Sequence, residues 1–390
     1  MKVSLALASH NSEDWDRIEA ADLDRAPVTP DADEVLGAMA LGHLAEPLGF
    51  DGIWAPEHFG TPYGMSPNPL QLLAYFAGRT ERISLGTMVL VLPWWNPVRL
   101  AHQIAYLDII SKGRFDMIGL GRGVAKTEFA AVGVPREESR KRFEECFDII
   151  ELALTKNRFS YEGEFFKIPE MSLRPQPLTK NLPSRFYGAS STNTSLEVMA
   201  RRGLAPLFVG NKPMTEAAKD VQLVNTWRRE EGLQPCQSKN ILFMYCTETA
   251  AQKEKSKDYI KQANREVFLH YGFGDSSNFV GVKGYEAYAA GAGNATAATD
   301  RRADQVGSDN TYDEQNLLIG TPDEIIAKIA DGQKLCSFSE IAIHTSFGGI
   351  SHKEADRSLR LFAKEVIPVI HKLETPIHAS ALPEPALSYA

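Results

Sequence analysis

The sequence predicts an α/β protein folded as one (β/α)8 TIM barrel, and three observations carry the prediction. Short, nearly all-apolar runs alternate with segments of helical spacing, eight such runs occur, and the first is not followed by a glycine-rich turn. Apolar strands separated by helices imply a parallel sheet covered on both faces. Eight such units close naturally into a barrel. A doubly wound open sheet would place glycines straight after the first strand, and "ALASHNSEDWD" has none there.

The elements follow in order. Val3 to Ala8 is the first strand; preceded by Lys2 it could pass for a secretory segment, but it is too short and turns at once into "NSEDWDRIE". Glu34 to Leu48 has helical spacing, and the turn Gly49-Phe50-Asp51-Gly52 leads into the short strand Ile53-Trp54. A helix from Pro69 precedes the third strand, Ile83 to Leu92. "NP" opens the helix Pro97 to Ile110, because proline suits the first helical position. Phe115 to Leu120 is the fourth strand and Glu137 to Thr155 an amphipathic helix. An insertion after the fourth strand, "KNRFSYEGEFFKIPEMSLRPQPLTKNLP", is Pro-rich and should hold a hairpin. The alternation resumes with strand Arg185 to Ala189, helix Ser195 to Arg202, strand Leu204 to Val209 and helix Met214 to Glu231. Strand Ile241 to Cys246 and helix Ala250 to Leu269 follow. A second insertion, Gly/Ala/Asp-rich, runs from Tyr271 to about Leu317, before the eighth strand. "GTPDEIIAKIA" then opens a helix with Thr321 as N-cap, Pro322 in first place and Glu324 closing a capping box. Ile341 to His344 is the last strand and His352 to Leu373 the last helix. Residues 1–374 thus read as a single domain and 375–390 as a Pro/Ala tail, expected to be loosely held.

Composition narrows the function. A hydrophobic fraction of 43% and a charged fraction of 24% are ordinary globular values. The net charge is -8, and no basic cluster exceeds a pair or triplet, which argues against a nucleic-acid partner. Cys146, Cys236, Cys246 and Cys336 form no Cys-x-x-Cys pair, so neither a metal knuckle nor a disulfide framework is indicated, and a reducing, cytoplasmic setting fits. No run approaches the roughly 18 apolar residues of a membrane span.

In such barrels the active site lies at the C-terminal strand ends. These ends read "WAPEHFG", "LPWWNPVR", "GLGRG", "GASSTNTS" and "HTSFGG". Glu57 and His58 are the candidate catalytic pair: His58 can carry a proton or serve as a structural histidine, while Glu57 suits tying a loop or orienting a neighbour. Trp94 and Trp95 either cap the barrel or flank a flat apolar ligand, and Phe59 and Phe347 complete a candidate substrate pocket. One hydroxyl suffices for an N-cap, yet "GASSTNTS" holds five and an asparagine, a surplus that suits a phosphate at a helix N-terminus. Arg122 sits between Gly121 and Gly123 and stays charged at any working pH, so it calls for an anion. Glu128 could be that anion. Neighbouring fourth and fifth strands would instead turn Arg122 toward the hydroxyl-rich helix start, and the anion is then a ligand's phosphate.

Taken together, "GTMVLVLPWWNPVRLAHQIAYLDIISKGRFDMIGLGRG", "GFDGIWAPEHFG" and "IGTPDEIIAKI" resemble the bacterial luciferase-like, flavin-dependent monooxygenases, in matching order from Val3 to Leu373. The resemblance implies a barrel that binds reduced FMN and reacts it with O2 to a C4a-(hydro)peroxyflavin, which oxygenates a small hydrophobic organic substrate. His58 falls on the family's catalytic histidine, Arg122 and Arg140 on its two phosphate-binding arginines, and Ser191, Thr192 and Ser195 on its phosphate-holding stretch. It also implies a cis peptide at Met88–Val89, with Met88 against the cofactor, and a mobile loop across the second insertion, in which Arg302 stands near a family arginine. A homodimer through the helix "PVRLAHQIAYLDIIS" is a further implication. With no nicotinamide motif, a separate flavin reductase would supply the reduced FMN. Phe59 replaces a second histidine and Gly121 a reactive cysteine of luciferase itself, departures that argue against light emission from a long-chain aldehyde. A deazaflavin- or FMN-dependent dehydrogenase, or a non-catalytic flavin-binding protein, are the alternatives.

Overall fold

Strands buried on both faces need mostly apolar side chains, and the eight runs supply them. In the computed structural model, which describes residues 1–190, 192–210, 213–273, 275–283, 285–286, 288–289 and 316–383, each run is a parallel strand. The first four are β1 (Lys2–Ala6), β2 (Gly52–Ala55), β3 (Ser84–Val91) and β4 (Phe115–Gly121). The first insertion forms an antiparallel hairpin of β5 (Phe159–Glu162) and β6 (Lys167–Met171). Then come β7 (Phe186–Ala189), β8 (Ala205–Val209), β9 (Lys239–Cys246), β10 (Leu317–Gly320) and β11 (Glu340–His344). The order β1-β2-β3-β4-β7-β8-β9-β11 closes on itself through the pairing of β11 with β1, leaving no open edge. All residues of β2 and β11 are buried, as an apolar run between helices and barrel interior requires.

Only the helices near the site are named. They are α1 (Pro97–Ile110), α2 (Lys126–Ala131), α3 (Ser139–Thr155), α4 (Asn193–Arg201), α5 (Met214–Glu230), α6 (Ala250–Tyr271) and α7 (Pro322–Cys336). The starts of α1 and α7 are built as their sequences require. The Asn96 side chain accepts from Arg99 N–H at 3.0 Å, and Thr321 and Glu324 form the reciprocal capping box. The hairpin is tied down by Glu145, whose carboxylate accepts the N–H groups of Glu164, Phe165 and Phe166.

Two expectations need correction. The second insertion was read to end at about Leu317 with the helix of "GTPDEIIAKIA" next, yet Leu317–Gly320 form the strand β10, which pairs with Phe243–Cys246 of β9 beyond the stretch that β8 covers. Four residues are too few for periodicity to set apart from the loop before them. The start of the tail is docked rather than loose: the carbonyls of Thr375 and Ala381 accept from Gln237 and Asn225, and Ala381 is buried. Backbone hydrogen bonds from distant side chains leave no local sequence signature. Among the described residues, no helix is long and apolar enough to cross a membrane.

The base of the barrel is sealed by a buried ion pair. Lys239 Nζ lies 2.8 Å from Glu340 Oε2, Ser4 Oγ donates to Glu340 Oε1 at 2.6 Å, and the ammonium sits 4.6 Å from the Tyr187 ring centre. The other end, where the strands finish, is where the candidate groups gather.

Candidate functional site

One wall of the mouth is cationic. Glycines flank Arg122 for separate reasons: a Cβ at Gly121 would lie 2.4 Å from Val89 Cγ2, and Gly123 has φ +81°, where side chains are strained. A cysteine at position 121 would therefore have to displace Val89. Because β4 pairs with β7, Arg122 faces the start of α4. Arg122, Arg140 and Glu144 of α3, and Ser195 of α4 line one small recess, with Phe143 and Met199 beside them. Thr192, at the N-cap of α4, makes no side-chain capping bond; its hydroxyl donates to Ser195 Oγ at 3.1 Å. Ser191 lies outside the described residues. Two guanidinium groups beside a helix N-terminus present a planar fork of donors suited to an anion. Burial lowers the pKa of the Arg122 guanidinium from its ordinary value. Tyr285 covers it, ring centre 4.4 Å away, and the Tyr285 hydroxyl donates to Gly123 O at 2.9 Å.

The opposite wall is built around His58. A two-residue bridge, His58 N–H to Ser66 O at 3.1 Å and the reverse at 3.0 Å, fixes its backbone, and Gly64 leaves room for its ring. Glu128 of α2, the carboxylate that could have paired with Arg122, is turned to the histidines. Its Oε1 accepts from Phe59 N–H at 3.2 Å and from His58 Nδ1 at 3.0 Å, and its Oε2 lies 3.6 Å from His270 Nε2 of α6. Burial pushes the Glu128 carboxyl up, but hydrogen bonds from His270 and His58 outweigh it and hold the group at about 2. His58 Nε2 faces the Tyr271 hydroxyl at 3.4 Å. Glu57 also lines the mouth and ties a neighbouring strand, since its Oε2 accepts from Val91 N–H at 2.7 Å. Burial pushes its carboxyl up to about 8, against the lowering effect of that hydrogen bond.

Between the walls lies a cavity of about 220 Å³, floored and flanked by Met88, Val89, Trp94, Leu207, Phe208 and Phe243. The Met88–Val89 peptide is cis. Trp94 lines the cavity with Phe59 packed edge-on at 5.1 Å, whereas Trp95 packs against the hydrophobic core. Phe347 is buried one layer back, 5.0 Å from Phe243. Sequence reasoning passed over His270 and Phe243 as site residues and took Tyr285 only as part of the lid. The one signal available was Glu266 and His270 at i and i+4 in "NREVFLHY", two polar groups on a single helix face; both are buried. Arg302 and residues 290–315 of the expected mobile loop lie outside the described residues. His58, Glu128 and His270 bring their ligating atoms within 4.8 Å of one another, through the His58–Glu128 hydrogen bond and the 3.6 Å approach of His270 to Glu128.

The model of the luciferase-like monooxygenase family matches residues 18–337. The alkanal monooxygenase alpha chain of Photobacterium leiognathi is 28% identical over 339 residues, 85% of this chain and 92% of that protein. The oxygenase component of a flavin-dependent trigonelline monooxygenase from Acinetobacter baylyi is 32% identical over 180 residues, 45% of this chain and 49% of that protein. The crystal structure of monooxygenase RslO1 from Streptomyces bottropensis superposes with a TM-score of 0.74 at 25% identity, covering 95% of this chain and all of that one.

Proposed function

Given that the chain belongs to the luciferase-like monooxygenase family, we propose that it is the oxygenase of a two-component system, fed with reduced FMN by a separate flavin reductase and using O2 to oxygenate a small hydrophobic organic substrate. The observation that carries the reading is the joining of two unlike sites: the recess of Arg122, Arg140 and Ser195 opens beside an apolar cavity with His58 on its far side. A flat ring system with a phosphate tail needs both. When bound, the reduced flavin supplies the reaction with oxygen.

The chain's own groups do the rest. Arg122 and Arg140 hold the phosphate, assisted by Thr192, Ser195 and the N-terminus of α4. Ser191 is proposed with them on the strength of its place in "GASSTNTS". Met88, Val89, Trp94 and Phe243 orient the ring and keep water out, which strengthens electrostatic effects at the reacting atoms. Anchored at Nδ1, His58 presents Nε2 to take or return a proton. Glu57, proposed with it as part of the catalytic pair, stays protonated near neutral pH and adds no charge to the cavity. Trp95 and Phe347 support the pocket from behind Phe59, Trp94 and Phe243.

A homodimer is part of the proposal, supported by an apolar groove on the outside of α1. Tyr106 there is 57% exposed and Ile110 39%, more than a helix packed only on its own barrel should leave open. The test of the function uses a generic flavin reductase to supply reduced FMN under ¹⁸O2 with a panel of hydrophobic ketones, terpenes and polyketide-like compounds. The expected result is labelled product from at least one member. Hydrogen peroxide alone from the whole panel would count against the reading.

A further inference from the structure

Tyr285 reaches the site from the second insertion and is fully buried, yet its side chain borders neither the apolar cavity nor the recess. It lies behind Arg122, with its ring centre 4.4 Å from the guanidinium carbon. A cation held over an aromatic face uses none of its N–H groups in that contact, because they lie in the guanidinium plane. The ring therefore fixes the plane of Arg122 without competing for its donors. The Tyr285 hydroxyl makes two bonds. A carbonyl only accepts, so the phenol proton goes to Gly123 O at 2.9 Å, and the Ser139 hydroxyl, 3.1 Å away, donates to the phenol oxygen. Gly123 follows Arg122 in the chain, and Ser139 precedes Arg140. One buried side chain thus touches both segments that carry the arginines of the recess.

We propose that Tyr285 is a positioning residue for the phosphate recess: its ring sets the Arg122 guanidinium, and its hydroxyl ties the end of β4 to the start of α3, so that both arginines are held in place before the ligand arrives. An arginine side chain has many rotamers, and ordering it at the moment of binding weakens affinity. A ring already packed on its face removes part of that penalty in the folded protein. The neighbouring groups do not supply the same effect. Arg136 stands 5.5 Å from the same ring, but its guanidinium donates to the carbonyls of Val124 and Asn278 and anchors the segment ahead of Tyr285. Tyr288, its ring centre 6.0 Å from that of Tyr285, lines the cavity instead.

The inference rests on reading the recess as a phosphate site, and its test separates the two. Anaerobic fluorescence titration gives the affinities of reduced FMN and reduced riboflavin, which share the ring system and differ in the phosphate. Tyr285→Leu removes both the ring and the bridge, and should weaken FMN binding by about tenfold while riboflavin affinity stays unchanged. Tyr285→Phe keeps the ring and loses the bridge, and should weaken FMN binding by about threefold, again with riboflavin unchanged. A wild-type FMN preference that survives in Tyr285→Leu overturns the proposal. So does an equal loss of affinity for both flavins, which a merely structural tyrosine would give, and so does an equal effect of the two substitutions, which would leave the ring without a part. Should the leucine variant not fold, the phenylalanine variant carries the test, and a full wild-type preference there overturns the proposal. Equal affinity of wild type for the two flavins would instead remove the phosphate reading, and the inference with it.

Discussion

At the base of the barrel, Lys239 and Glu340 meet at 2.8 Å, Ser4 fills the remaining oxygen, and the strands close around them. At the mouth, Arg122 and Arg140 carry like charges on one wall of a recess, and the Glu128 carboxylate on the other wall faces His58 and His270. At the base the two opposite charges meet each other; at the mouth Glu144 lines the recess together with the two arginines. Burial is costly for either arrangement. The difference teaches where to look for function: a closed pair of opposite charges leaves no opening for a ligand, whereas guanidinium groups that line an open recess present their donors to one.

The largest effect should come from breaking the base. Glu340→Ala leaves the Lys239 ammonium buried without its carboxylate and should cost about 3–5 kcal/mol in unfolding free energy. Chemical denaturation measures this, and the folded variant should keep its flavin affinity. A loss of affinity with little loss of stability would dissolve the contrast between the two ends.

The next effect belongs to the mouth. His58→Ala should bind flavin as wild type does and consume reduced flavin and oxygen at a comparable rate, yet release hydrogen peroxide in place of product. Product yield should fall by at least about 100-fold, the lower range for a general acid–base group. Retention of full coupling would make His58 a structural histidine.

Glu57 sharpens the comparison further, because it is a buried carboxyl balanced by protonation instead of by a cation. Its folded pKa, about 8, lies above its ordinary value of 4.5. The stabilising contribution is therefore full below about pH 4.5 and is lost as pH rises through about 8. Wild type should lose stability relative to Glu57→Gln at about 1.4 kcal/mol per pH unit, or about 2 kcal/mol between about pH 5.5 and 7. Parallel stability curves for the two proteins would show that Glu57 is ionised in the fold.

How much of this could be read beforehand varies by residue. The barrel strands were legible because two-sided burial forces each into an apolar run. Arg122 was legible because a guanidinium between two glycines at a strand end has no packing reason to be there. The pairing of His58 with Glu128 was not, since 70 residues separate them and only the closure of the barrel brings β2 and α2 together. His270 is further still along the chain. Tyr285 comes from a low-complexity stretch with no periodicity, yet it covers Arg122. Phe347 shows a different limit: its composition suited a pocket, but the path of its loop put it one layer behind Phe243. Residue type survives in sequence, and the face a side chain takes outside regular elements does not.

The central claim, that the cationic recess is a flavin phosphate site, is tested most directly by comparing reduced FMN with reduced riboflavin, which has the ring but no phosphate. Anaerobic fluorescence titration gives both affinities for wild type and for Arg122→Ala. The expected result is that wild type prefers FMN by at least about tenfold, or about 1.4 kcal/mol, and that Arg122→Ala loses most of this preference while its riboflavin affinity stays unchanged. Equal affinity of wild type for the two flavins, or an FMN preference that survives in Arg122→Ala, would contradict it.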